Sequence, residues 1–97
     1  MNREFEWDTA KAESNFKKHG IRFEDAVAVF DDPFYISHQD RFENGEHRYQ
    51  VIGAVGGFRL LLVAHTARFE TDVEIIRIIS ARKVKGKEKN YYANGSF

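Results

Sequence analysis

The chain has 97 residues and a mass of 11.3 kDa, which fits a single domain spanning 1–97 around one hydrophobic core. A composition of 42% apolar and 31% charged residues excludes a chain that is disordered throughout. The absence of cysteine excludes disulfide bonds, cysteine-ligated metals and thiol nucleophiles. Neither a signal peptide nor a bilayer-spanning apolar stretch is evident, so we expect a cytoplasmic protein with no membrane partner.

Charge is unevenly distributed along the chain, although its formal net charge is zero. Residues 1–48 carry 7 basic and 11 acidic residues, whereas residues 49–97 carry 8 basic and 4 acidic ones. Five of the basic residues and a single acidic one lie within 82–89. Such a density of cations attracts phosphate groups, but a solvated helix face has the same pattern.

Two helices are predicted in the N-terminal third. Apolar residues recur at helical spacing after Asp8, a residue that caps helices, and Gly20 is typical of a helix end, so a first helix is predicted over about 8–19. The apolar spacing from Phe23 to Phe30 predicts a second, short helix. Pro33 ends it.

Extended segments follow the proline. Their β-branched and aromatic residues predict four strands, at 34–38, 48–55, 58–67 and 73–81. Turn residues at 43–46, 56–57 and 69–72 separate these segments. Short connections of this kind favour an antiparallel meander.

A final helix is predicted in the basic and aromatic segment after Arg82, weakened by Gly86, with a tail at 94–97 that frays. The predicted fold class is therefore α+β: two N-terminal helices, a four-stranded antiparallel sheet and a C-terminal helix. The two N-terminal helices should cover one sheet face and leave the other open. That open face, beside the basic helix, would make a groove for an extended ligand.

Motifs for metals and cofactors are missing from the sequence. No His-Glu-x-x-His motif occurs, and the four histidines fall in four different predicted elements. The glycines at 53, 56 and 57 do not follow the strand, turn and helix order of a phosphate-binding loop. We therefore expect neither a metal nor a cofactor.

The remaining polar groups suit metal-free cleavage of RNA, a reaction in which the 2′-hydroxyl of the substrate attacks its own phosphate. The protein has to supply a base, an acid and fixed cations. His65 is the best candidate for proton transfer, because it lies near the end of a strongly patterned strand and its ordinary pKa is about 6.5. A hydrogen-bonded structural histidine is the alternative interpretation.

Three arginines are candidates for phosphate binding. Arg68 follows His65 by three residues and is either a phosphate ligand or an exposed loop residue. Arg77 interrupts a run of isoleucines, where a cation needs a partner or a ligand, and Arg82 ends the last strand.

Further candidates lie at the sheet margin and on the first helix. Glu46 and Arg48 flank the start of the second strand and form either part of a site or an ordinary ion pair. Lys18 belongs to a polar stripe on the first helix, a pattern typical of a solvated face.

Several sequence blocks resemble the BrnT family of small bacterial toxins, the ribonuclease partners of type II toxin–antitoxin pairs, which have a RelE-like fold. The blocks occur in the family's order and span most of the chain. They are Phe5-Glu6-Trp7-Asp8, Lys18-His19-Gly20-Ile21, Phe23-Glu24-Asp25-Ala26, Val29-Phe30-Asp31-Asp32-Pro33, Gly45-Glu46-His47-Arg48, His65-Thr66-Ala67-Arg68 and Ile76-Arg77-Ile78-Ile79-Ser80-Ala81-Arg82.

The resemblance implies cleavage of RNA, growth arrest, and neutralisation by a BrnA-like antitoxin through which alone the protein would contact operon DNA. It assigns proton transfer to His65 and phosphate contacts to Arg68 and Arg82. The complete set of expected site residues is catalytic His65, Arg68, Arg82 and Glu46, and RNA-binding Arg77, Lys18, Arg48, Lys83 and Lys85.

Two other functions remain open from the sequence. In the first, the chain is a non-catalytic module that binds a protein partner through the open sheet face. In the second, it binds DNA itself, which the neutral charge and the lack of a helix-turn-helix motif disfavour.

Overall fold

A computed structural model describes residues 2–57 and 59–97. One sheet of five strands is flanked by helices on both faces. The elements in chain order are β1 (Asn2–Glu6), α1 (Thr9–His19), α2 (Phe23–Ala26), a 3-10 helix (Val27–Asp31), β2 (Ile36–Glu43), β3 (Glu46–Val55), β4 (Arg59–Glu70), β5 (Val73–Lys83) and α3 (Gly86–Asn94).

The strand order across the sheet is β1-β5-β4-β3-β2. Strands β2 to β5 form the expected antiparallel meander. The sheet is nevertheless mixed, because β1 pairs in parallel with β5, with Asn2 opposite Val73 and Glu6 opposite Arg77. The prediction of a four-stranded antiparallel sheet is therefore corrected to five strands.

Strand β1 escaped prediction because its sequence, Asn-Arg-Glu-Phe-Glu, contains a single apolar residue. Parallel strands are usually apolar since both of their faces are covered. Here β1 lies at the edge of the sheet, where polar side chains remain partly in water.

The two N-terminal helices match the prediction closely. The side chain of Asp8 caps α1 by accepting a hydrogen bond of 3.0 Å from the Lys11 backbone N–H, and Gly20 ends the helix at φ 72°. The second helical segment begins as α2 and tightens into the 3-10 helix. Phe16 of α1 is 41% exposed, and the Arg22 guanidinium stacks on its ring.

Three hairpin turns connect the meander at the predicted positions. Asn44 and Gly45 both have positive φ, as a tight primed turn requires, and so do Gly56 and Gly57. The predicted third strand began at Phe58, which lies outside the described residues; from Arg59 onward the strand continues to Glu70, past its predicted end at Ala67. Arg68 is therefore a strand residue and not a loop residue.

The main core lies between the sheet and the N-terminal helices, on what we call the helix-side face. Its buried residues are Ile21, Phe23, Ala26, Val29, Val51, Leu61, Val63, Ile76, Ile78 and Ala81. The opposite face, here the far face, was expected to be open. Instead, Val84, Tyr91, Tyr92 and Phe97 pack on Ile36, Ile52 and Leu62, so α3 and the end of the chain cover part of it.

Helix α3 is attached to the sheet at both ends. Gly86 is its first residue, so the expected weakening by an interior glycine does not arise. The hydroxyl of Tyr92 donates a 2.6 Å hydrogen bond to Asp32, which also accepts bonds from the Ala54 and Phe34 backbone N–H groups. Within the tail predicted to fray, the Phe97 ring lies 3.9 Å from that of His38.

Within residues 2–57 and 59–97, no helix is long and apolar enough to cross a membrane.

Candidate active site

His65 lies on the helix-side face of β4, directly across from Tyr49 on β3 and Ile78 on β5. A bulge follows Ala64, so that two residues of β5 share one position of β4. The imidazole is 5% exposed, with its ring centroid 5.2 Å from that of Phe30 and 5.5 Å from that of Tyr49. His65 is thus held rigidly between two aromatic rings.

The protonation state of His65 follows from its surroundings. Its Nδ1 is 3.2 Å from the backbone oxygen of Thr66, and because a carbonyl can only accept, Nδ1 carries the hydrogen. Burial lowers the pKa of His65 below its ordinary 6.5, against the hydrogen bond to Thr66 and the charge of Glu74, which raise it. At neutral pH the ring is therefore uncharged, and Nε2 is free to accept a proton.

A cavity of about 250 Å³ opens beside His65. We call it the His65 pocket; its polar lining is Arg3, Tyr35, Ser37, Tyr49, His65 and Glu74, and its apolar lining is Phe30, Ala67, Phe69 and Ile76. A larger cavity of about 370 Å³ lies beside α1 and α2, but its lining contains no histidine. A cavity of about 210 Å³ beside α1 also has a histidine, His19, with Lys11, Lys18 and Ser80, but His19 is only half-buried. The His65 pocket combines a buried histidine with a cation and hydroxyl groups.

An ion pair forms one wall of the pocket. The Arg3 Nε donates to Glu74 Oε1 at 2.9 Å, and the Arg3 guanidinium carbon is 5.3 Å from the centre of the Phe30 ring. Arg3 comes from β1 and Glu74 from β5, so the parallel pairing of these strands builds this wall.

Arg68 and Arg77 lie on the far face, where they share one carboxylate. Arg68 donates to both oxygens of Glu6, at 3.0 and 3.2 Å, and to Glu70 at 2.9 Å. Arg77 donates to Glu6 at 2.9 Å. The hydrogen bonds from Arg68, and then those from Arg77, lower the pKa of Glu6, which keeps this cluster ionised. Both arginines are already occupied by protein carboxylates.

Arg82, Lys83 and Lys85 lie where β5 leads into α3. Arg82 holds Glu88 with two parallel hydrogen bonds of 2.9 and 2.8 Å, and Glu88 also accepts from the Lys85 backbone N–H. Lys83 and Lys85 are exposed. Arg82 therefore fixes the first turn of α3, while the two lysines face water.

Glu46 and Arg48 do not form the ion pair considered above. Glu46 is exposed, and its partner across the hairpin is Glu43. The Nε of Arg48 is buried without a hydrogen-bond partner, 3.9 Å from the nearest Glu43 oxygen. Lys18 is exposed on α1, near Ser80 of β5.

The expected site residues consequently do not converge on one point. His65 faces the helices, whereas Arg68 and Arg77 project on the far face, so one phosphate cannot contact both groups through the sheet. The spacing of His65 and Arg68 alone predicts that they face opposite ways, because residues three apart in one strand point to opposite faces of the sheet. The roles assigned to the individual residues stay predictions, but their expected juxtaposition is corrected.

Sequence reasoning missed the residues that do surround His65: Arg3, Tyr35, Tyr49 and Glu74. Tyr49 could have been found from the hairpin register, which sets it opposite His65. Arg3 and Glu74 could not, because their proximity depends on the unpredicted β1. Within the described part of the chain, no three His, Asp or Glu side chains are grouped so as to hold a metal ion.

Comparison with known proteins assigns the family. The model of the family described as "Ribonuclease toxin, BrnT, of type II toxin-antitoxin system" matches residues 7–88. The crystal structure of the Brucella abortus ribonuclease toxin BrnT superimposes with a TM-score of 0.62 at 21% sequence identity, covering 88% of this chain and 100% of that one. None of the curated proteins matches the chain. Since the family match spans most of the sequence, including β4 and His65, the chain belongs to the BrnT family of ribonuclease toxins of type II toxin–antitoxin systems.

Proposed function

We propose that the protein is a metal-independent endoribonuclease whose reaction takes place in the His65 pocket. The observation that carries the proposal is a buried, uncharged histidine at the edge of a cavity that also contains a cation and three hydroxyl groups. Such a cavity, of about 250 Å³, has room for one ribose and its phosphate rather than for a longer stretch of RNA.

In the proposed reaction, Nε2 of His65 accepts the proton of the substrate 2′-hydroxyl. The 2′-oxygen then forms a bond to phosphorus, while the bond from phosphorus to the 5′-oxygen breaks. Tyr35, Ser37 and Tyr49 carry the hydroxyl groups from which the departing 5′-oxygen can take a proton. The products are a 2′,3′-cyclic phosphate and a free 5′-hydroxyl.

Arg77, Arg48, Lys18, Lys83 and Lys85 remain candidates for binding RNA outside the pocket. Arg68 and Arg82, expected to be catalytic, join them because they lie on the far face, whereas the exposed carboxylate of Glu46 takes no part in the proposed reaction. Arg68, Arg77 and Arg82 would first have to release their carboxylates. Arg48 differs from these three arginines, because its Nε has no hydrogen-bond partner within the described residues.

Membership of a type II toxin family supports an antitoxin partner. We propose that this partner is BrnA-like, that it binds the operon DNA in the complex, and that the toxin acts on RNA in the cytoplasm. Expression of the chain alone should stop growth, and co-expression of the antitoxin should restore it.

The test is incubation of the purified chain with RNA in excess chelator, followed by analysis of the product ends. Wild-type protein should produce 2′,3′-cyclic phosphate ends, His65→Asn should lose the activity, and His47→Asn, the same change at an exposed histidine of β3, should retain most of it. Cleavage that requires added metal would contradict the mechanism. No cleavage by the folded wild type, with growth arrest unaffected by His65→Asn, would favour the non-catalytic binding module.

A further inference from the structure

We infer that Arg3 of β1 is a substrate-binding residue that holds the phosphate of the RNA in the His65 pocket. The inference rests on the proposed function and adds a residue outside 7–88, the span in which the chain matches its family. It depends on three features of the structure: how Arg3 is held, what it faces, and how the other arginines of the sheet differ from it.

Arg3 has a hydrogen-bond partner and an aromatic contact, but these leave most of its N–H groups available to a ligand. Its Nε donates to Glu74 at 2.9 Å, and its guanidinium lies over the Phe30 ring. The single bond to Glu74 uses one of the five guanidinium N–H groups. The side chain retains 36% of its exposure, so the terminal nitrogens can still reach a ligand.

The same wall places Arg3 beside the proton acceptor. Arg3 and His65 line one cavity, and the charge of Arg3 is felt at the imidazole. A phosphate between the two would receive N–H donors from the guanidinium, while the adjacent 2′-hydroxyl would meet Nε2 of His65. A planar guanidinium fork matches two phosphate oxygens and would counter the charge that develops on them during attack.

The arginines of the far face provide the contrast. Arg68 is bonded to two carboxylates, and Arg77 shares one of these. Arg3 is bonded to one carboxylate, and through Nε only, so its two terminal nitrogens make no hydrogen bond to a carboxylate. Among the described arginines, Arg3 is the one that lines the pocket of His65.

The experiment measures binding of a short mixed-sequence single-stranded RNA and of its uncleavable 2′-deoxy counterpart, by fluorescence anisotropy over a range of salt concentrations. Loss of one phosphate contact on a single strand should reduce the slope of log affinity against log salt by about 0.7. Arg3→Gln should show this reduction and, with cleavable RNA, a fall in kcat/KM of about 10- to 100-fold, typical of one charge-assisted hydrogen bond.

Two matched variants separate phosphate binding from a structural role. Arg3→Lys keeps the positive charge and should retain the wild-type slope, although it loses the fork and part of kcat/KM. Glu74→Gln removes the partner of Arg3 and should leave the slope unchanged. If Arg3 served only to hold Glu74 in place, Glu74→Gln would reproduce the loss. Arg59→Gln, at the start of β4 and away from the pocket, is the control for charge alone.

The outcomes distinguish the two proposals. A wild-type slope and rate in Arg3→Gln would overturn the role of Arg3 while the ribonuclease proposal stood. Binding by wild type without cleavage would overturn the ribonuclease proposal, and the slope would still report the phosphate contact. Failure of wild type to bind either oligonucleotide would overturn both.

Discussion

One side chain, Asn15, supplies hydrogen bonds to the part of the β5 edge that lies beyond the end of β1. The amide accepts a hydrogen bond of 3.1 Å from the Ala81 N–H and donates one of 2.9 Å to the Ala81 carbonyl, as a neighbouring strand would. A third bond, of 3.1 Å, goes to the carbonyl of Ile21. Although Asn15 lies in a polar stripe that looks solvated in the sequence, it is only 7% exposed.

Replacing Asn15 by alanine should lower the free energy of unfolding by about 2 to 4 kcal/mol, because buried backbone groups of Ala81 lose their partners. Urea denaturation followed by circular dichroism measures the change. Ser14→Ala, one residue earlier and exposed, is the matched control and should change stability by less than about 0.5 kcal/mol. Equal effects of the two variants would contradict the role assigned to the amide.

The pKa of His65 provides a second prediction at the scale of a single residue, and it can be tested without an activity assay. NMR titration of its imidazole should give a pKa below 6.5, mainly because the ring is buried. Glu74→Gln removes a negative charge that favours the protonated ring, so the pKa should fall further. Glu70→Gln, on an exposed carboxylate of the far face, should leave it unchanged. A pKa of 6.5 or above in wild type would contradict a ring kept neutral by burial.

Between elements, the 3-10 helix lies directly against β3 at Gly53. A Cβ built on Gly53 would lie 2.8 Å from the Val29 carbonyl oxygen and 3.0 Å from the Val29 Cβ. The sequence shows only that Gly53 does not belong to a phosphate-binding loop. Its observed role is to let the helical segment lie directly on the strand.

Gly53→Ala should therefore destabilise the protein by about 1 to 3 kcal/mol, because backbone atoms cannot move aside as a flexible side chain would. The midpoint of urea denaturation reports the loss. Gly86→Ala is the matched control: its Cβ would have no neighbour within 4 Å and its backbone is already helical, so it should be neutral or slightly stabilising. A stable Gly53→Ala protein would mean that the two segments can separate at little cost.

How far the sequence predicts this fold also differs from element to element. Helix α1 and the hairpins were predictable because caps, turn glycines and alternating apolar residues act locally. Strand β1 was not, because its conformation depends on pairing with β5, some 71 residues away between Arg3 and Glu74. The same is true of the candidate site. His65 could be identified from its residue type and position, but its neighbours depend on strand pairing between distant parts of the chain.

For the molecule as a whole, balanced charge coexists with several ionised groups that depend on the folded state. Glu6 and Glu88 have lowered pKa values because Arg68 and Arg82, respectively, donate to them. Burial alone would raise the pKa of Asp32, but hydrogen bonds from Tyr92, Ala54 and Phe34 bring it below 3.8. The hydrogen bond between Asp32 and Tyr92 also raises the pKa of Tyr92 to about 12.

These shifts predict a protein that loses stability on acidification. His65, with its lowered pKa, binds a proton more readily in the unfolded chain, so stability should begin to fall as the pH drops below 6.5. The carboxylates add to the loss as the pH falls through their ordinary values of 4.5 and 3.8 toward their lower folded values. Urea midpoints between pH 7 and pH 4 should decrease steadily.

Two variants assign this decrease to its sources. His65→Gln should flatten the part nearest pH 6.5, and Tyr92→Phe should reduce the part due to Asp32. Midpoints that stay constant down to pH 4 would contradict the shifts inferred from the structure.

The parallel pairing of β1 with β5 also determines when the molecule can become dangerous to its host. During synthesis β1 leaves the ribosome well before β5, the strand with which it pairs. The pocket draws Arg3, His65 and Glu74 from points far apart in the chain, so it cannot exist on a partly made polypeptide. Closure of such distant contacts is also slow. Under the proposed function, a cell therefore has an interval, between translation and completion of the sheet, in which an inhibitor already present can meet a toxin that is not yet able to act.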